Sequence, residues 1–285
     1  MNYTEYKTEI VKGKHGELII PSTDNSIGSA YKAYGEYSEI ELIIIKKILK
    51  AGDFVFDIGA NIGIFSIPIS KQITESGKLF CFEPQKFIFN LLNQNVGIHK
   101  LRNVNTFNCA LGEKIGKVKI DNIDYSLNGN FGGVGLDDDY DNTMSVKLKT
   151  VIHEEKIEMK KLDQFINIER CDFIKIDVEK METKVLKGGE NFIKKFRPVM
   201  WIENHLEFPN KLNQYLLRKN YKLYWSVTTF FNPCNYFLNS ENIFGDSSTV
   251  NVLAIPSEKN EECKIDLEEI TSKNTQATWS IVKPI

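Results

Sequence analysis

The segment that most constrains the fold runs from Val55 to Ser66, where an apolar run breaks into a turn with two glycines. This pattern is typical of a buried strand, a loop and a helix in an open α/β sheet, and nucleotide-like ligands bind at such turns. Gly59 and Gly63 permit backbone conformations and close approaches to a ligand that a Cβ would prevent. Asp57, at the end of the predicted strand, can accept hydrogen bonds from that ligand.

The glycine spacing excludes two phosphate-binding loops. A dinucleotide fingerprint needs a glycine where Asn61 stands, and a P-loop needs Lys and then Ser or Thr where Ile64 follows Gly63. The ligand class that remains is a nucleoside without a polyphosphate. Glu83 ends the next predicted strand, about 20 residues beyond the turn, where a carboxylate grips a ribose diol. Together these features predict S-adenosylmethionine as the cofactor.

Composition excludes several other classes of protein. The 285 residues carry 36 basic and 38 acidic side chains, a net charge of −2, so no nucleic-acid partner is expected. The longest apolar stretch, 42–45, is far shorter than the roughly 20 residues of a membrane span. The N-terminus has no secretory leader, and the five cysteines form no C-x-x-C pair, so we expect a cytoplasmic protein. The sequence does not determine the oligomeric state, and a homo-oligomer is one of the options.

Strands and helices alternate along the chain, which predicts an α/β fold with a mostly parallel sheet. Strands are predicted at 54–58, 78–82, 104–109, 172–177, 199–203 and 250–255, with helices at 38–50, 62–71, after Pro84, and at 185–196. Ser38 and Glu41 form a capping-box pattern at the first helix. The predicted parts are an irregular N-terminal cap at 1–50, a main domain at 51–256 and a polar C-terminal tail at 257–285. The main domain includes a β-rich insertion at 117–160 and an aromatic region at 221–247.

Polar residues follow the predicted strands at the edge where ligands bind in open α/β sheets. Asp177 and Glu179 follow one strand, and Glu203 and His205 end the next. A methyl acceptor with a hydroxyl group needs a base, and His205 is the first choice because its ordinary pKa lies near neutral pH, although a backbone group could equally satisfy it. Glu179 and Asp177 are the alternatives. With Glu203 they offer three hard oxygen ligands, but such groups are common in clefts, and we predict no metal.

The chain resembles the FkbM-type methyltransferases, an S-adenosylmethionine-dependent family with a Rossmann-like class I fold, over about residues 31–255. The similar segments are 57–63, 82–84, 174–179 with Glu182, 185–188, 198–203 and 251–253, together with the N-terminal motif at 35–37. The resemblance implies that the main cofactor contacts are Asp57, Gly59, Asn61 and Glu83, and we add Gly63, Pro84 and Ala110 as candidates. The expected fold is therefore a class I methyltransferase sheet with an N-terminal helical cap and the β-rich insertion.

One position departs from the family pattern. Family members usually have glycine after the Asp-Val-Glu, where this chain has Lys180. Lys180 could therefore extend an ammonium group toward an acidic substrate. The candidate contacts to the acceptor are Lys180, Glu203, Tyr34 and Glu36.

The resemblance implies O-methylation of a hydroxyl on a sugar, glycan or small natural product. Two alternatives remain open: N-methylation of a peptide or small amine, and a cofactor-binding scaffold subunit without catalysis. The aromatic region could stack on a sugar or cover the site, or simply pack against the sheet.

Overall fold

The computed structural model describes residues 6–120, 123–136, 141–142, 145–146, 155–204, 209–262 and 266–270. Its centre is an eight-stranded sheet. In chain order, the strands of this sheet are β3 (Phe54–Ile58), β4 (Lys78–Phe82), β5 (Val104–Phe107), β9 (Phe173–Ile176), β10 (Val199–Glu203), β11 (Tyr221–Thr229), β12 (Ser248–Pro256) and β13 (Glu268–Ile270). Five more strands lie outside it: β1 (Thr8–Gly13), β2 (Gly16–Pro21), β6 (Ala110–Leu111), β7 (Gly116–Ile120) and β8 (Glu155–Lys160).

The central sheet has the strand order β13-β11-β12-β10-β9-β3-β4-β5. Neighbouring strands from β10 to β5 run parallel, whereas β12, β11 and β13 pair antiparallel at the other side. The predicted α/β architecture with a mostly parallel sheet is confirmed. β3 and β9 lie at its middle and are buried along their whole length, including the polar residues Asp57 and Lys175.

Seven helices are described: α1 (Ile27–Tyr34), α2 (Glu39–Ile48), α3 (Ser66–Ile73), α4 (Lys86–Ile98), α5 (Glu182–Gly188), α6 (Glu190–Phe196) and α7 (Pro209–Arg218). They cover both faces of the sheet. Val55 packs with α2, α3 and α4 in one core cluster, while its neighbour Phe56 packs with α5, α6 and α7 in the other. This alternation follows from the two-residue period of a strand. None of the described helices has both the length and the apolar character needed to cross a membrane.

Several elements differ from the sequence predictions. The described part of the N-terminal cap is regular, because β1 and β2 form an antiparallel hairpin ahead of α1. α3 begins at Ser66, four residues later than expected, since residues 59–65 form the loop. The predicted helix at 185–196 is two helices that meet at Gly189. The aromatic region contains strand β11, and part of the predicted tail, β13, pairs with β11 at the sheet edge.

The capping box predicted at the start of α2 is wrong. Ser38 has a left-handed backbone and makes no side-chain capping bond to the helix. Its hydroxyl instead donates to Glu41 Oε2 at 3.3 Å, and Glu41 Oε1 accepts a hydrogen bond from Trp201 Nε1 at 2.7 Å. Glu41 therefore points into the molecule rather than back to its own helix end.

The predicted insertion contributes β7 and β8 to a small separate sheet with the order β6-β8-β7. Its described residues 123–136 return to the main domain, where Gln85 donates to the Phe131 carbonyl at 2.8 Å. Tyr125 in turn donates its hydroxyl to the Gln85 side chain at 3.0 Å. Gln85 follows Glu83 by two residues, so the insertion is bonded directly to the loop after β4.

Candidate functional site

A cavity of about 440 Å³ lies at the carboxyl ends of the parallel strands. Residues following β3, β4 and β9, together with the last residue of β10, contribute to its wall, as expected for ligand sites in open α/β sheets. Two regions of the wall lie on opposite sides of β3, and we call them the Glu83 end and the Glu203 end. The Glu83 end comprises Asn61, Glu83, Pro84, Gln85, Cys109, Ala110 and Leu111, and the Glu203 end comprises Glu41, Asp177, Glu179, Glu203, Phe230 and Phe244.

Glu83 is held by the backbone of two neighbouring loops. Its Oε2 accepts a hydrogen bond from the Asn61 amide at 3.0 Å, and its Oε1 accepts one from the Gln85 amide at 2.8 Å. The side chain is buried, and burial raises the pKa of its carboxyl to about 8. Each oxygen still has a second lone pair, so the carboxylate can accept further hydrogen bonds from a diol.

The two glycines of the loop act mainly on protein packing. Gly59 has a φ of 86°, and a Cβ there would overlap the carbonyl oxygen of Asp177. Gly63 has a φ of 91° and does not line the cavity; a Cβ on it would lie 2.9 Å from Leu92. From sequence, both glycines are expected to allow close approach of a ligand, whereas the structure places neighbouring protein atoms in that space. Gly59 therefore joins the loop after β3 to the loop after β9.

Asp57 lies beneath the same loop and is completely buried. Its Oδ2 accepts a hydrogen bond from the Ser66 hydroxyl at 2.6 Å, while Oδ1 has no hydrogen-bond partner among the described residues. Burial raises the pKa of Asp57, although Lys175 and Ser66 oppose that shift. A buried acceptor atom on a cavity wall is satisfied when a ligand supplies a donor.

Lys175 is a buried lysine that the sequence analysis did not single out. It is 2% exposed and pairs in register with Asp57 across β9 and β3. Its ammonium group lies 2.8 Å from Asp177 Oδ2 and 4.8 Å from the centre of the Phe65 ring. Burial opposes its charge, but Asp177, Asp57 and Glu41 raise the pKa of Lys175 above its usual value. A lysine within the otherwise apolar strand Phe173–Ile176 was the signal that could have revealed it.

Three carboxylates meet at the Glu203 end. One oxygen each from Asp177, Glu179 and Glu203 lies within 4.8 Å of the others. Burial raises the pKa of Glu203 well above its usual value, and the nearby Asp177 and Glu182 reinforce this effect. Such a group has the chemistry to hold a divalent cation, to bind hydroxyls or to pair with an amine. Nothing further in the described structure points to a metal, and we assign none.

Glu41 adds another carboxyl to this end. Its bonds to Ser38 and Trp201 hold it in the cavity wall, close enough to Lys175 and Asp177 to affect its titration. Burial raises the pKa of Glu41 to about 7, the Lys175 ammonium opposes the shift, and Asp177 adds to it. Sequence reasoning missed this residue because its spacing from Ser38 suggested a helix cap.

The backbone of the turn after β9 explains why the FkbM-type family usually has glycine at the position of Lys180. Glu179 and Lys180 have positive φ values of 50° and 70°, a region that glycine adopts without strain. The Glu182 carboxylate accepts hydrogen bonds from the Val178 and Lys180 amides, at 3.4 and 3.2 Å, and so fixes the turn. Lys180 is exposed and does not line the cavity, and its contact with an acidic acceptor stays a prediction.

Tyr34 and Glu36 also lie outside the cavity wall. The Tyr34 hydroxyl donates to the Glu241 carbonyl at 2.9 Å. Glu36 accepts hydrogen bonds from the Asn232 side chain at 2.7 Å and the Tyr236 amide at 3.1 Å. Both residues thus fasten the 230–244 segment to the N-terminal cap, and we assign them no acceptor contact.

The aromatic region divides into packing residues and cavity residues. Phe230 and Phe244 line the Glu203 end and contact each other with ring centres 5.6 Å apart. Trp225 is buried in the core on β11. Ser247 and Thr249 continue the wall toward β12. Because this segment lies far from the motifs in sequence, no local spacing could have placed it here.

The predicted base His205 lies outside the described residues, so its role stays a prediction. The other two candidates, Asp177 and Glu179, both line the cavity. Of the predicted cofactor residues, all but Gly63 line it, and the cavity also receives Glu203 as predicted.

The cavity residues fit S-adenosylmethionine. Glu83 can accept hydrogen bonds from a ribose diol, and the unpartnered Asp57 Oδ1 can accept one from an ammonium group. No phosphate is present in this cofactor, in agreement with the absence of arginine from the cavity wall among the described residues. S-adenosylmethionine is therefore the cofactor that suits this site.

The known proteins to which this chain is similar include several that are named methyltransferases. A curated "Methyltransferase 1" from Beauveria bassiana (strain ARSEF 2860) is 27% identical over 146 residues, 47% of this chain and 57% of that protein. "Methyltransferase sdnD" from Sordaria araneosa is 27% identical over 203 residues, 60% of this chain and 78% of that protein. The crystal structure of methyltransferase FkbM from Methylobacillus flagellatus KT superposes with a TM-score of 0.47 at 16% identity, covering 72% of this chain and 44% of that one.

The chain thus spans little more than half of the Beauveria relative and less than half of the Methylobacillus protein. The model of the methyltransferase FkbM domain matches more than half of this chain. It covers residues 57–223. This range includes the ends of β3 and β4, which build the Glu83 end, and the ends of β9 and β10, which carry the carboxylates of the Glu203 end. On the strength of that match, the chain belongs to the FkbM methyltransferase domain family.

Proposed function

We propose that this chain is an S-adenosylmethionine-dependent O-methyltransferase that acts on a hydroxyl of a sugar, glycan or small natural product. The observation that supports the proposal is a single cavity that contains both Glu83 and Asp177. Methyl transfer is an in-line displacement, so the protein must mainly hold two ligands in one orientation. A cavity with a nucleoside-binding end and a polar acceptor end meets that need.

Bound S-adenosylmethionine supplies an electrophilic methyl group. On the protein side, Glu83 and the Asn61 loop would hold the nucleoside, and Asp57 would face the amino-acid portion. These groups lie on loops fixed by backbone hydrogen bonds, such as those from the Gly59 and Ala60 amides to the Phe82 carbonyl, each at 3.0 Å. Rigid loops keep a ligand aligned without further ordering on binding.

Asp177 is the base that the geometry favours. Its carbonyl packs against Gly59, so it stands next to the cofactor loop, and its carboxylate lines the cavity. The Lys175 ammonium group at 2.8 Å favours the ionised carboxylate, which is the form that removes a proton from a hydroxyl. Glu179, on the same turn, is the second candidate, and His205 remains the base predicted from sequence.

The test compares Asp177→Asn with an exposed control, Asp266→Asn. We expect Asp177→Asn to lower kcat by about 100-fold or more, the usual contribution of a general base, with cofactor affinity unchanged. Glu179→Gln and His205→Ala belong in the same series. The variant that removes the rising limb of the pH–rate profile identifies the base, and wild-type activity in Asp177→Asn would exclude Asp177.

The two alternative functions give different results in the same assay. N-methylation of an amine needs no strong base, so a pH–rate profile without a carboxylate or histidine limb would support it. A scaffold subunit would bind the cofactor but release no S-adenosylhomocysteine with any hydroxylated or amine acceptor.

A further inference from the structure

We propose that Glu203 is the neutral member of a carboxyl pair: it donates a hydrogen bond to Asp177 and so positions the carboxylate that takes the acceptor's proton. The inference rests on the proposed function, in which Asp177 is the base, and adds a positioning residue to it. It gives Glu203 a different role from the acceptor contact predicted from sequence.

The two carboxyl groups lie side by side at the ends of paired strands. β9 and β10 run parallel with Ile176 opposite Ile202, so the next residues, Asp177 and Glu203, stand at the same level of the sheet. One oxygen of each group lies within 4.8 Å of the other, and a side-chain hydrogen bond joins them. An ionised carboxylate can only accept hydrogen bonds, so a bond between two carboxyl groups requires a proton on one of them.

Lys175 directs the negative charge of the pair to Asp177. Its ammonium group lies 2.8 Å from Asp177 Oδ2, and contact with a cation favours the ionised form of a carboxyl group. Lys175 also acts on Glu203, but more weakly than burial and the nearby Asp177 and Glu182 carboxylates do. The shared proton therefore lies on Glu203.

The surroundings of Glu203 favour its neutral form. Burial raises its pKa well above the usual value, and nearby carboxylates add to this effect. One of them, Glu182, accepts hydrogen bonds from the Val178 and Lys180 amides, which favour its charged form. A second charge on Glu203 would face this carboxylate across a short distance. The remaining titratable groups around the pair are Tyr37, Glu41 on α2, Asp57 on β3 and Glu179 in the turn after β9.

A neutral Glu203 serves the reaction through Asp177. Its O–H holds the Asp177 carboxylate in one orientation and stabilises the ionised form until the acceptor hydroxyl gives up its proton. The Asp177 side chain is 39% exposed, so it stays open to the cavity while it is bonded from the protein side. Asp177 gains the acceptor's proton and Glu203 keeps its own, so Glu203 acts without exchanging a proton with the acceptor.

Carboxyl carbon-13 NMR of the cofactor-free protein, labelled at glutamate Cδ and aspartate Cγ, reports the proton on each group directly. The substitutions Glu203→Gln and Asp177→Asn identify the two resonances. At neutral pH we expect Glu203 at the chemical shift of a neutral carboxyl group and Asp177 at that of an ionised one. The matched control is Glu258, whose pKa a hydrogen bond from Arg197 lowers to about 2, so its resonance should be that of an ionised group. An ionised Glu203 or a neutral Asp177 at neutral pH overturns the inference.

A pH titration of the Asp177 resonance in two variants tests the positioning role. Glu203→Ala removes the donor, so Asp177 should titrate about one pH unit higher or more. Glu203→Gln restores a donor of nearly the same shape through its amide N–H, so Asp177 should titrate close to its wild-type pH. Identical titration of Asp177 in both variants contradicts the role, and should Glu203→Ala fail to fold, the resonance positions in the wild type decide.

Failure of the proposed function is a separate result. It appears as wild-type kcat in Asp177→Asn, whereas the position of the proton in the pair is measured without cofactor or acceptor.

Discussion

The Glu83 end and the Glu203 end of the cavity are built in different ways. At the Glu83 end, both carboxylate oxygens are bonded to backbone amides within two short loops, from Asn61 and Gln85. At the Glu203 end, Asp177 and Glu203 come from neighbouring strands, while Phe230 and Phe244 come from a segment fastened to the N-terminal cap. The first end is a local product of two motifs, and the second is assembled from distant parts of the chain.

This difference separates what the fold fixes from what it leaves variable. Backbone hydrogen bonds to Glu83 depend on loop shape, which a few glycines and the sheet register determine. The Glu203 end depends on side chains from segments that can change without altering the sheet. We therefore expect the Glu83 end to recognise the cofactor and the Glu203 end to select the acceptor.

The largest expected effect on stability comes from Gly59→Ala, because Gly59 lies where the loop after β3 contacts the loop after β9, between the two ends of the cavity. Its Cβ would overlap the Asp177 carbonyl at a backbone φ of 86°. We expect a loss of about 3 kcal/mol or more in the free energy of unfolding, from strain and overpacking together. Denaturant titration measures it.

The control for that variant is Gly97→Ala. Gly97 lies in α4, and beyond its chain neighbours and its own helix backbone no described atom lies within 4 Å of its Cβ position. Alanine there should stabilise the protein by about 0.5 to 1 kcal/mol. Similar effects at both positions would contradict the packing role assigned to Gly59.

A smaller effect is expected from Glu83→Ala, which acts on the Glu83 end alone. It should weaken S-adenosylmethionine binding by about 1.5 to 3 kcal/mol, the range for hydrogen bonds to a charged group. Isothermal calorimetry provides the measurement, with Glu179→Gln as the comparison at the other end. Unchanged affinity in Glu83→Ala would remove Glu83 from the cofactor site.

The pH dependence of cofactor binding sharpens the same comparison. The pKa of Glu83 is about 8 without ligand, so its neutral form stabilises the cofactor-free fold at lower pH, and this contribution is lost as pH rises through 8. A ribose diol prefers the ionised carboxylate, so binding should release a proton. Affinity should rise by up to about tenfold per unit between roughly pH 6 and 8 and then level off. Glu83→Gln should flatten that slope; a slope that persists in the variant belongs to another group.

The smallest effect is expected at the turn that supports the Glu203 end. Lys180→Gly relieves a residue at a φ of 70° and should stabilise the protein by about 1 kcal/mol. Lys184→Gly, in α5, should instead destabilise it by about 1 kcal/mol. Thermal unfolding of the two variants, each against wild type, checks the opposite signs.

The Glu83 end was largely predictable from sequence for a physical reason. The strand, turn and helix pattern around Gly59 and the acidic residue at Glu83 are local signals with a fixed separation. Even so, the sequence misjudged what fills the space beside Gly59, because that depends on the neighbouring strand β9.

The Glu203 end was only partly predictable. Asp177, Glu179 and Glu203 were found because strand ends share one sheet edge. Glu41 was misread as a helix cap, and Lys175 was overlooked inside an apolar strand. Phe230 and Phe244 reach the cavity through tertiary contacts with the N-terminal cap, and no sequence period reports such contacts.

A crystal structure of the protein with S-adenosylhomocysteine tests the central claim most directly. We predict that the ribose hydroxyls bond the Glu83 carboxylate and that the amino-acid portion lies beside Asp57, with the sulfur directed toward Asp177. A nucleoside bound away from Glu83, or a ligand that leaves the Asp57 Oδ1 atom without a donor and Asp177 remote from the sulfur, would contradict the account.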